Sequence, residues 1–499
     1  METLDLLFTG FSNSLTSFNL VIMILGVSLG LIIGALPGLG SVNGVAILLP
    51  LTFLVTPTSA IILLGAIYYG AMYGGAVSSI LLGIPGASTA VATTFDGRPM
   101  ALNGQAGKAL ILAAVASFIG GTVSVVLFTF FAPPLAELAI VFGSAEEFAL
   151  VVLAFTTFFG LSSDDIWKTL VMIALGLVLS SVGLDIISGK PRLIFGDIPG
   201  FYHGIHFVVL AIGVYGIGEM LVTMEESHGK ISLSSATISF RDIFVGILDT
   251  LKRGVSLVVG TLLGFFVGML PAAGATPAAL MSYGVMRNLS KEKDQFGKGA
   301  ADGVIAPEAA NNAASTGAFL PMITLGIPGS PTTALLLGGM VIWGLQPGPL
   351  LFVENPEFVW GLISSLYLAN IAAVILMILG IPVFVAALRM PFTILAPIVF
   401  ALCIVGGFAP TLDLHDVWLI MIFGLGAFVL RKLDYPLAPL VLALVLGPLL
   451  EKSFRQSVIA SQGSVDIFFE RPIAASLLAV AAVLILIPVI RTLKRRLLS

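Results

Sequence analysis

The sequence predicts an all-α, polytopic membrane protein made of two inverted repeats with broken or re-entrant helices, and three observations carry that prediction. First, the 499 residues are 58% hydrophobic and only 10% charged, with a mean hydropathy of +1.10, which lies far outside the range of soluble domains. Second, apolar runs able to cross a hydrocarbon core of roughly 30 Å recur along the whole chain. Third, two Gly/Pro motifs each occur twice, in the same order. The 55 glycines and 27 prolines suit polytopic helical proteins, whereas a β-barrel would show short alternating strands.

Taken in order, spanning or partly spanning segments are expected near residues 17–36, 42–56, 58–84, 106–131, 147–160, 166–183 and 205–222. No basic residue precedes the first run, so it lacks the charged start of a cleavable signal peptide and reads as a retained helix. These segments make the first membrane repeat, residues 1–222. A polar stretch at 223–254 divides the chain as a cytoplasmic linker, and its "FRDIFVGILDTLKRG" fits an amphipathic helix lying on the membrane. The second, inverted repeat, 255–450, carries segments near 255–271, 274–287, 303–327, 331–345, 358–387, 391–412, 415–431 and 435–450. Residues 451–499 read as a loop, an extra transmembrane helix near 473–490 and a basic cytoplasmic tail.

The duplication rests on aligned motifs. "GALPGLG" at 34–40 matches "GMLPAAG" at 268–274, 234 residues later, and "SILLGIPGASTA" from Ser79 matches "MITLGIPGSPTT" from Met322, 243 residues later. The difference fits an insertion at "RNLSKEKDQFGKGAAD", 287–302. Charge orients the copies, since Lys and Arg in short loops mark the cytoplasmic side. Arg98 and Lys108 follow the first LGIPG, but Glu354 and Glu357, without a base, follow the second. The alternation continues with Glu137, Glu146 and Glu147 outside, Lys230, Arg241, Lys252 and Arg253 inside, Asp413 and Asp416 outside, and Arg431 and Lys432 inside. The tail "RTLKRRLLS" is inside, and only Lys190 and Arg192 dissent.

Pro and Gly interrupt the backbone ladder, and bare amides and carbonyls survive at membrane depth only against protein or a watery cavity. Paired broken helices at mid-membrane therefore point to a binding site, with helix N-termini favouring anions and unwound carbonyls favouring cations. The anion candidates are Gly83, Pro85, Gly86, Ser88 and Thr89 in the first half and Asn311, Asn312, Gly326, Pro328, Gly329, Ser330, Thr332 and Thr333 in the second, with the two Asn amides donating to substrate carboxylates. The hydroxyls either cap restarting helices or donate to a carboxylate, and the sequence leaves both open. Gly34, Pro37, Gly38 and Gly40, with Gly268, Pro271 and Gly274, are candidates for cation binding or gating, or are kinks at helix ends, and Glu308 joins them as a cation-binding or gating candidate. In "APEAANNAASTGAFLP" the spacing sets Glu308 beside Asn311 and Asn312 on a helix, as an ion or substrate path or at the water interface. Tyr68 and Tyr69 stand at the matching positions of the first half; Tyr73 and Arg98 are further candidates.

The stretches "GALPGLGSVNGVAILLPLTF", "YYGAMYGGAVSSILLGIPGASTAVATTFDGRPMALNGQAGKAL", "GMLPAAGATPAALMSYG" and "APEAANNAASTGAFLPMITLGIPGSPTTALLLGG" resemble the large membrane subunit of the tripartite tricarboxylate transporters, over nearly the whole chain. The resemblance implies a bacterial inner-membrane permease driven by an ion gradient. It implies partners too: a small four-helix membrane subunit and a periplasmic binding protein that delivers tricarboxylates or related organic acids. The motif positions carried over are 34–40, 68–75, 83–89, 96–98, 268–274, 307–312 and 326–333.

With no Arg or Lys clearly mid-membrane, a di- or trianion needs dipoles plus co-bound cations, Na⁺ or H⁺, and an elevator-type movement of the paired repeats would carry the site across. No organic cofactor, metal cluster, catalytic set or nucleic-acid partner is expected, and a homodimer fits the reading. The runner-up is a binding-protein-independent carboxylate/cation symporter, with an anion channel behind it. His203 and His206, at i, i+3, lack a third ligand; Asp164 and Asp165 beside Trp167, and the 291–298 loop, read as solvated. No G-x-x-x-x-G-K-[ST] loop occurs, which argues against direct ATP drive. The single cysteine, Cys403, excludes an intrachain disulfide.

Overall fold

The computed structural model describes residues 2–36, 38–161, 166–185, 188–196, 198–226, 240–271, 273–387, 392–408 and 412–498. Pro37, Asp164, Asp165 and Lys230 therefore lie outside the described residues. The first half contains α1 (Glu2–Ser14), α2 (Ser17–Ala35), α3 (Gly40–Leu48), α4 (Pro57–Leu81), α5 (Val91–Met100), α6 (Ala106–Ile140), α7 (Ser144–Leu161), α8 (Ile166–Ser180), α9 (Phe207–Ala211) and α10 (Glu219–Glu226). The second contains α11 (Phe240–Lys252), α12 (Gly254–Gly268), α13 (Ala275–Leu289), α14 (Asp302–Gly317), α15 (Phe319–Leu325), α16 (Pro331–Ile342), α17 (Leu351–Glu354), α18 (Pro356–Leu379), α19 (Ile381–Ala387), α20 (Phe392–Phe408), α21 (Leu414–Lys432) and α22 (Leu437–Ala460). α23 (Ile467–Glu470) and α24 (Pro472–Leu498) follow. Among the described residues seven helices are long and apolar enough to cross a membrane, or eight with the bent α11–α12 pair. The protein is thus an all-α, multi-pass membrane protein.

Local chemistry sets several starts. Thr16 caps α2 by accepting from the Asn19 amide, and Thr56 caps α4 from Ser59, with Pro57 preformed for the first turn. The α11 axis turns 75° into α12 across Arg253, which leaves α11 lying crosswise to a spanning direction as its amphipathic pattern requires. Exposed Val255, Val258, Leu262 and Phe266 make a lipid stripe along α12, and Trp418, Ile422, Leu425 and Val429 make one along α21.

The two halves share one packing device. On α2, Gly26, Gly30 and Gly34 lie so close to α4 that an added Cβ would sit 2.8, 2.3 and 2.2 Å from the carbonyl oxygens of Leu63, Ile67 and Ala71. On α12, a Cβ added at Gly260, Gly264 or Gly268 would sit 2.4, 2.3 and 2.3 Å from those of Ala306, Ala310 and Ala314 on α14. The glycines of the two sets are 234 residues apart and the carbonyls 243, matching the offsets of the sequence motifs. In lipid, small residues spaced by four allow this backbone contact and the dispersion it brings. α4 and α14 are consequently the buried axis of each half.

Three elements depart from the expectation. The helix α1 docks on α18, with the Ser14 hydroxyl 2.8 Å from that of Ser364; its polar residues gave no membrane-span signal. Residues 451–460 continue α22 as helix instead of forming loop. That extension positions Glu451 and Arg455 against a small hairpin pairing Gly183–Leu184 with Pro191–Arg192. Arg192 meets Glu451 at 2.9 Å and Asp185 at 3.3 Å, and Arg455 meets both acids as well. Arg192 dissented from the charge alternation because it belongs to this ion-pair network and is no freely solvated loop base.

Candidate functional site

Each half contains two backbone breaks that meet. In the first half the chain leaves α2, turns through Gly38 (φ +84°) and Gly40 (φ +61°), and restarts as α3. In the second it leaves α12, passes Pro271 and restarts as α13 after Gly274 (φ +68°). α4 ends at Gly83 (φ +74°) and α15 at Gly326 (φ +70°), both in the left-handed conformation that closes a helix without a Cβ penalty. The chain then restarts at Ser88, in a short 3₁₀ turn before α5, and at Ser330 before α16.

The breaks of one half pack on each other. An added Cβ at Gly86 would lie 1.9 Å from the Gly34 carbonyl, and one at Gly329 would lie 2.6 Å from that of Gly268. The Gly274 amide donates to the Gly329 carbonyl at 3.0 Å. Breaks of opposite halves meet through hydroxyls, Ser41 with Thr332 at 3.1 Å and Thr276 with Ser88 at 3.1 Å, and Tyr68 within α4 meets Ser330 at 3.2 Å.

Between them lies a cavity of about 670 Å³. Its walls include the first turns of four segments: Gly40 to Asn43 opening α3, Ser88 and Thr89 leading to α5, Ala275 to Pro277 opening α13, and Pro331 and Thr332 opening α16. Such N-termini carry positive dipole ends, although at α16 the Ser330–Thr333 capping box already satisfies two of the first amides and Pro331 has none.

Of the sequence candidates, Gly38, Gly40, Tyr68, Pro85, Gly86, Ser88, Thr89, Gly274, Ser330 and Thr332 line this cavity. Gly34, Gly83, Gly268, Gly326, Pro328 and Gly329 do not line it; they shape the breaks behind it. The Pro271 carbonyl accepts from Thr157, and Thr333 completes a capping box with Ser330. Arg98 donates to the Leu81 carbonyl at the end of α4, and its Cγ lies 3.0 Å from where a Cβ on Gly83 would be.

Glu308, Asn311 and Asn312 lie elsewhere, fully buried on α14. The Glu308 carboxyl accepts from Thr93, from Ser117 at 3.1 Å and from Asn311 at 3.2 Å. Asn312 donates to the Asn311 side chain at 2.6 Å and to the Glu308 carbonyl at 3.1 Å. Tyr69 bonds Thr316, and Tyr73 donates to Asn370 at 2.6 Å. Together these groups form a buried polar spine between α4, α14 and their neighbours, separate from the cavity.

Several cavity residues had no place among the sequence candidates. Ser41 and Thr276 carry the same signal as the residues after LGIPG, a hydroxyl at a restarting helix, and were legible on that ground. Tyr215, Glu219 and Arg431 also line the cavity, but they lie outside any duplicated motif.

The family model of the tripartite tricarboxylate transporter TctA family matches residues 20–442. An uncharacterized 52.8 kDa protein in the TAR-I ttuC′ 3′ region of Agrobacterium vitis is 39% identical over 496 residues, covering 99% of this chain and 98% of the relative. A second uncharacterized protein, from the TAR-II ttuC′ 3′ region of the same organism, is 40% identical over 232 residues, which is 46% of this chain and 96% of the relative. No solved structure matches. With the family model spanning most of the chain and a relative similar from end to end, the chain belongs to the tripartite tricarboxylate transporter TctA family.

Proposed function

We propose that the cavity between the two pairs of breaks binds an organic acid carrying several carboxylates and that the chain moves it across the bacterial inner membrane in symport with Na⁺ or H⁺. The family is one of transporters and not of enzymes, and its systems have three parts, of which this chain is the large membrane subunit. One observation carries the finer reading: four helix starts converge on one cavity with hydroxyls at their first turns. Each helix N-terminus counts as roughly half a positive charge, so the four together offset about two charges of a polyanion without a buried lysine.

The remaining charge calls for a cation. Glu308, ringed by neutral donors on the buried axis of the second half, is the group we assign to coupling. Asn311 and Asn312, which adjoin it, act there and not on the carboxylate. The matching glycine contacts of the two halves, together with their opposed loop charges, support inverted repeats that move as one body in an elevator-type step. In this reading a periplasmic binding protein supplies the anion, a small four-helix subunit completes the permease, and the C-terminus is cytoplasmic.

The test is uptake of radiolabelled citrate and malate by cells expressing the chain with its two partner proteins. Imposed Na⁺ or proton gradients should drive accumulation, and Thr332→Val should lower apparent affinity for the acid. Uptake that ignores both gradients, or is untouched by Thr332→Val, would exclude this site and mechanism.

A further inference from the structure

The cavity has a wall that belongs to neither pair of breaks. Residues Ile212–Gly218 are wound as a π-helix between α9 and α10, a rare geometry that recurs at functional sites. This segment and the first residue of α10 bring Tyr215 and Glu219 to the cavity, and Arg431, at the end of α21, reaches it from the opposite element. The contact between the two elements is tight. An added Cβ on Gly213 would lie 2.8 Å from the Ile420 carbonyl, and one on Gly424 would lie 2.5 Å from the Ile217 side chain.

Two features of this wall point to a ligand. Tyr215 is a lining residue of the cavity, is only 9% exposed, and has a buried hydroxyl with no hydrogen-bond partner. A buried phenol normally finds one. Arg431 is held loosely, 3.8 Å from Glu219, and keeps about half of its side-chain surface open. Its neighbour Lys432 makes the close pair expected at a helix end, 2.6 Å from Glu225 outside the cavity. Arg431 therefore has guanidinium donors to offer, and a planar fork suits a carboxylate.

We infer that Tyr215 and Arg431 bind the distal carboxylate of the transported anion, with Glu219 holding Arg431 in the empty site and yielding it when the anion enters. The inference rests on the reading of the cavity as the carboxylate site. The four helix starts take one end of the anion, and this wall takes the other, so the wall selects acids with at least two carboxylates over those with one. Glu219 also repels an anion that arrives without displacing it, which sharpens the selection.

The experiment measures binding of radiolabelled citrate and malate to the purified full-length chain in lipid nanodiscs, with lactate as competitor, for the parent, Tyr215→Phe, Arg431→Gln, Arg431→Lys and Glu219→Gln. Thermal melting checks the fold of each variant. Tyr215→Phe and Arg431→Gln should weaken citrate and malate by about tenfold, the scale of a lost charge-assisted hydrogen bond, while competition by lactate is unchanged. Arg431→Lys should recover part of the loss, and Glu219→Gln should tighten both polyanions by about twofold. Unchanged citrate and malate binding in folded Tyr215→Phe and Arg431→Gln overturns the inference and leaves the cavity reading standing. So does an equal loss for lactate. A parent chain that binds neither citrate nor malate overturns both. Should Arg431→Gln fail to fold, Tyr215→Phe and Arg431→Lys decide the matter.

Discussion

Ser41 and Thr332 stand 291 residues apart in the chain, yet their hydroxyl oxygens lie 3.1 Å from each other at the cavity wall. Ser88 and Thr276 repeat the relationship with the halves exchanged. Each half thus touches the other through the hydroxyl of a restarting helix, and the cavity is lined from both halves. The pair predicts coupling. In a double-mutant cycle of uptake, Ser41→Ala and Thr332→Val should each raise the apparent Michaelis constant, with an interaction of about 1 kcal/mol between them. Strict additivity would mean that the two hydroxyls act separately.

The glycines behind the cavity give a second prediction, read by thermal melting in detergent. Gly86→Ala would drive a methyl to 1.9 Å from the Gly34 carbonyl, whereas Gly329→Ala meets the Gly268 carbonyl at 2.6 Å. Backbone cannot yield as a flexible side chain does, so both variants should lose stability, by about 1–3 kcal/mol or more. Gly86→Ala should be the worse of the two. Equal melting temperatures for both variants and the parent would mean that the loops are free to move off their helices.

How much of this was legible beforehand divides along physical lines. Hydropathy located the helices well, because span length and burial leave a direct trace in composition: α2, expected at 17–36, runs Ser17–Ala35, and α21, expected at 415–431, runs Leu414–Lys432. The duplicated Gly/Pro motifs located the breaks, since a left-handed turn at Gly83 or Gly326 leaves few residue choices. Helix period also set Glu308 beside Asn311. It could not say that this cluster faces Thr93 and Ser117 instead of the cavity, because that depends on how α14 is rotated against α5 and α6. Tyr215 and Arg431 were invisible for a similar reason: their meeting needs the packing of α21 on a π-wound segment that hydropathy reads as ordinary helix.

Glu308 supplies a third prediction that separates structure from coupling. Its carboxyl is the shared acceptor of Thr93, Ser117 and Asn311. Glu308→Ala strands those donors in the core and should cost about 3 kcal/mol or more. Glu308→Gln keeps the shape and an acceptor oxygen, so its melting temperature should stay near that of the parent. Its uptake should nonetheless lose dependence on the Na⁺ or proton gradient, and retained dependence would remove Glu308 from the coupling site.

Asp96 predicts a local effect. One of its oxygens accepts from the amides of Gly297, Gly299 and Ala300 at 2.9, 2.8 and 2.7 Å, and the other from the Tyr283 hydroxyl at 2.9 Å. The charged insertion between α13 and α14, expected to be merely solvated, is thereby tied to α5 of the first half. Asp96→Ala should speed hydrogen exchange across residues 293–301 while leaving α4 protected. Exchange unchanged in that loop would show that its other contacts suffice.

Asp249, on the amphipathic α11, predicts a pH dependence of stability. Burial pushes its carboxyl up, but Lys108 at 2.8 Å and Arg253 at 3.5 Å more than offset this and hold it below the usual carboxylate range. In the unfolded chain the group titrates near about 3.9. A carboxyl that is more acidic when folded adds stability that is fully present above the unfolded value and is lost as pH falls through the folded one. The melting-temperature difference between the parent and Asp249→Asn should therefore be flat from pH 8 to about pH 5 and close below about pH 4. Lys108 is 40% exposed and Asp249 24%, so the pair is partly screened and its contribution should be at most about 1 kcal/mol. Added salt should shrink it further. A difference that persisted at low pH would assign the effect to packing of α11 on α6 and not to the charge.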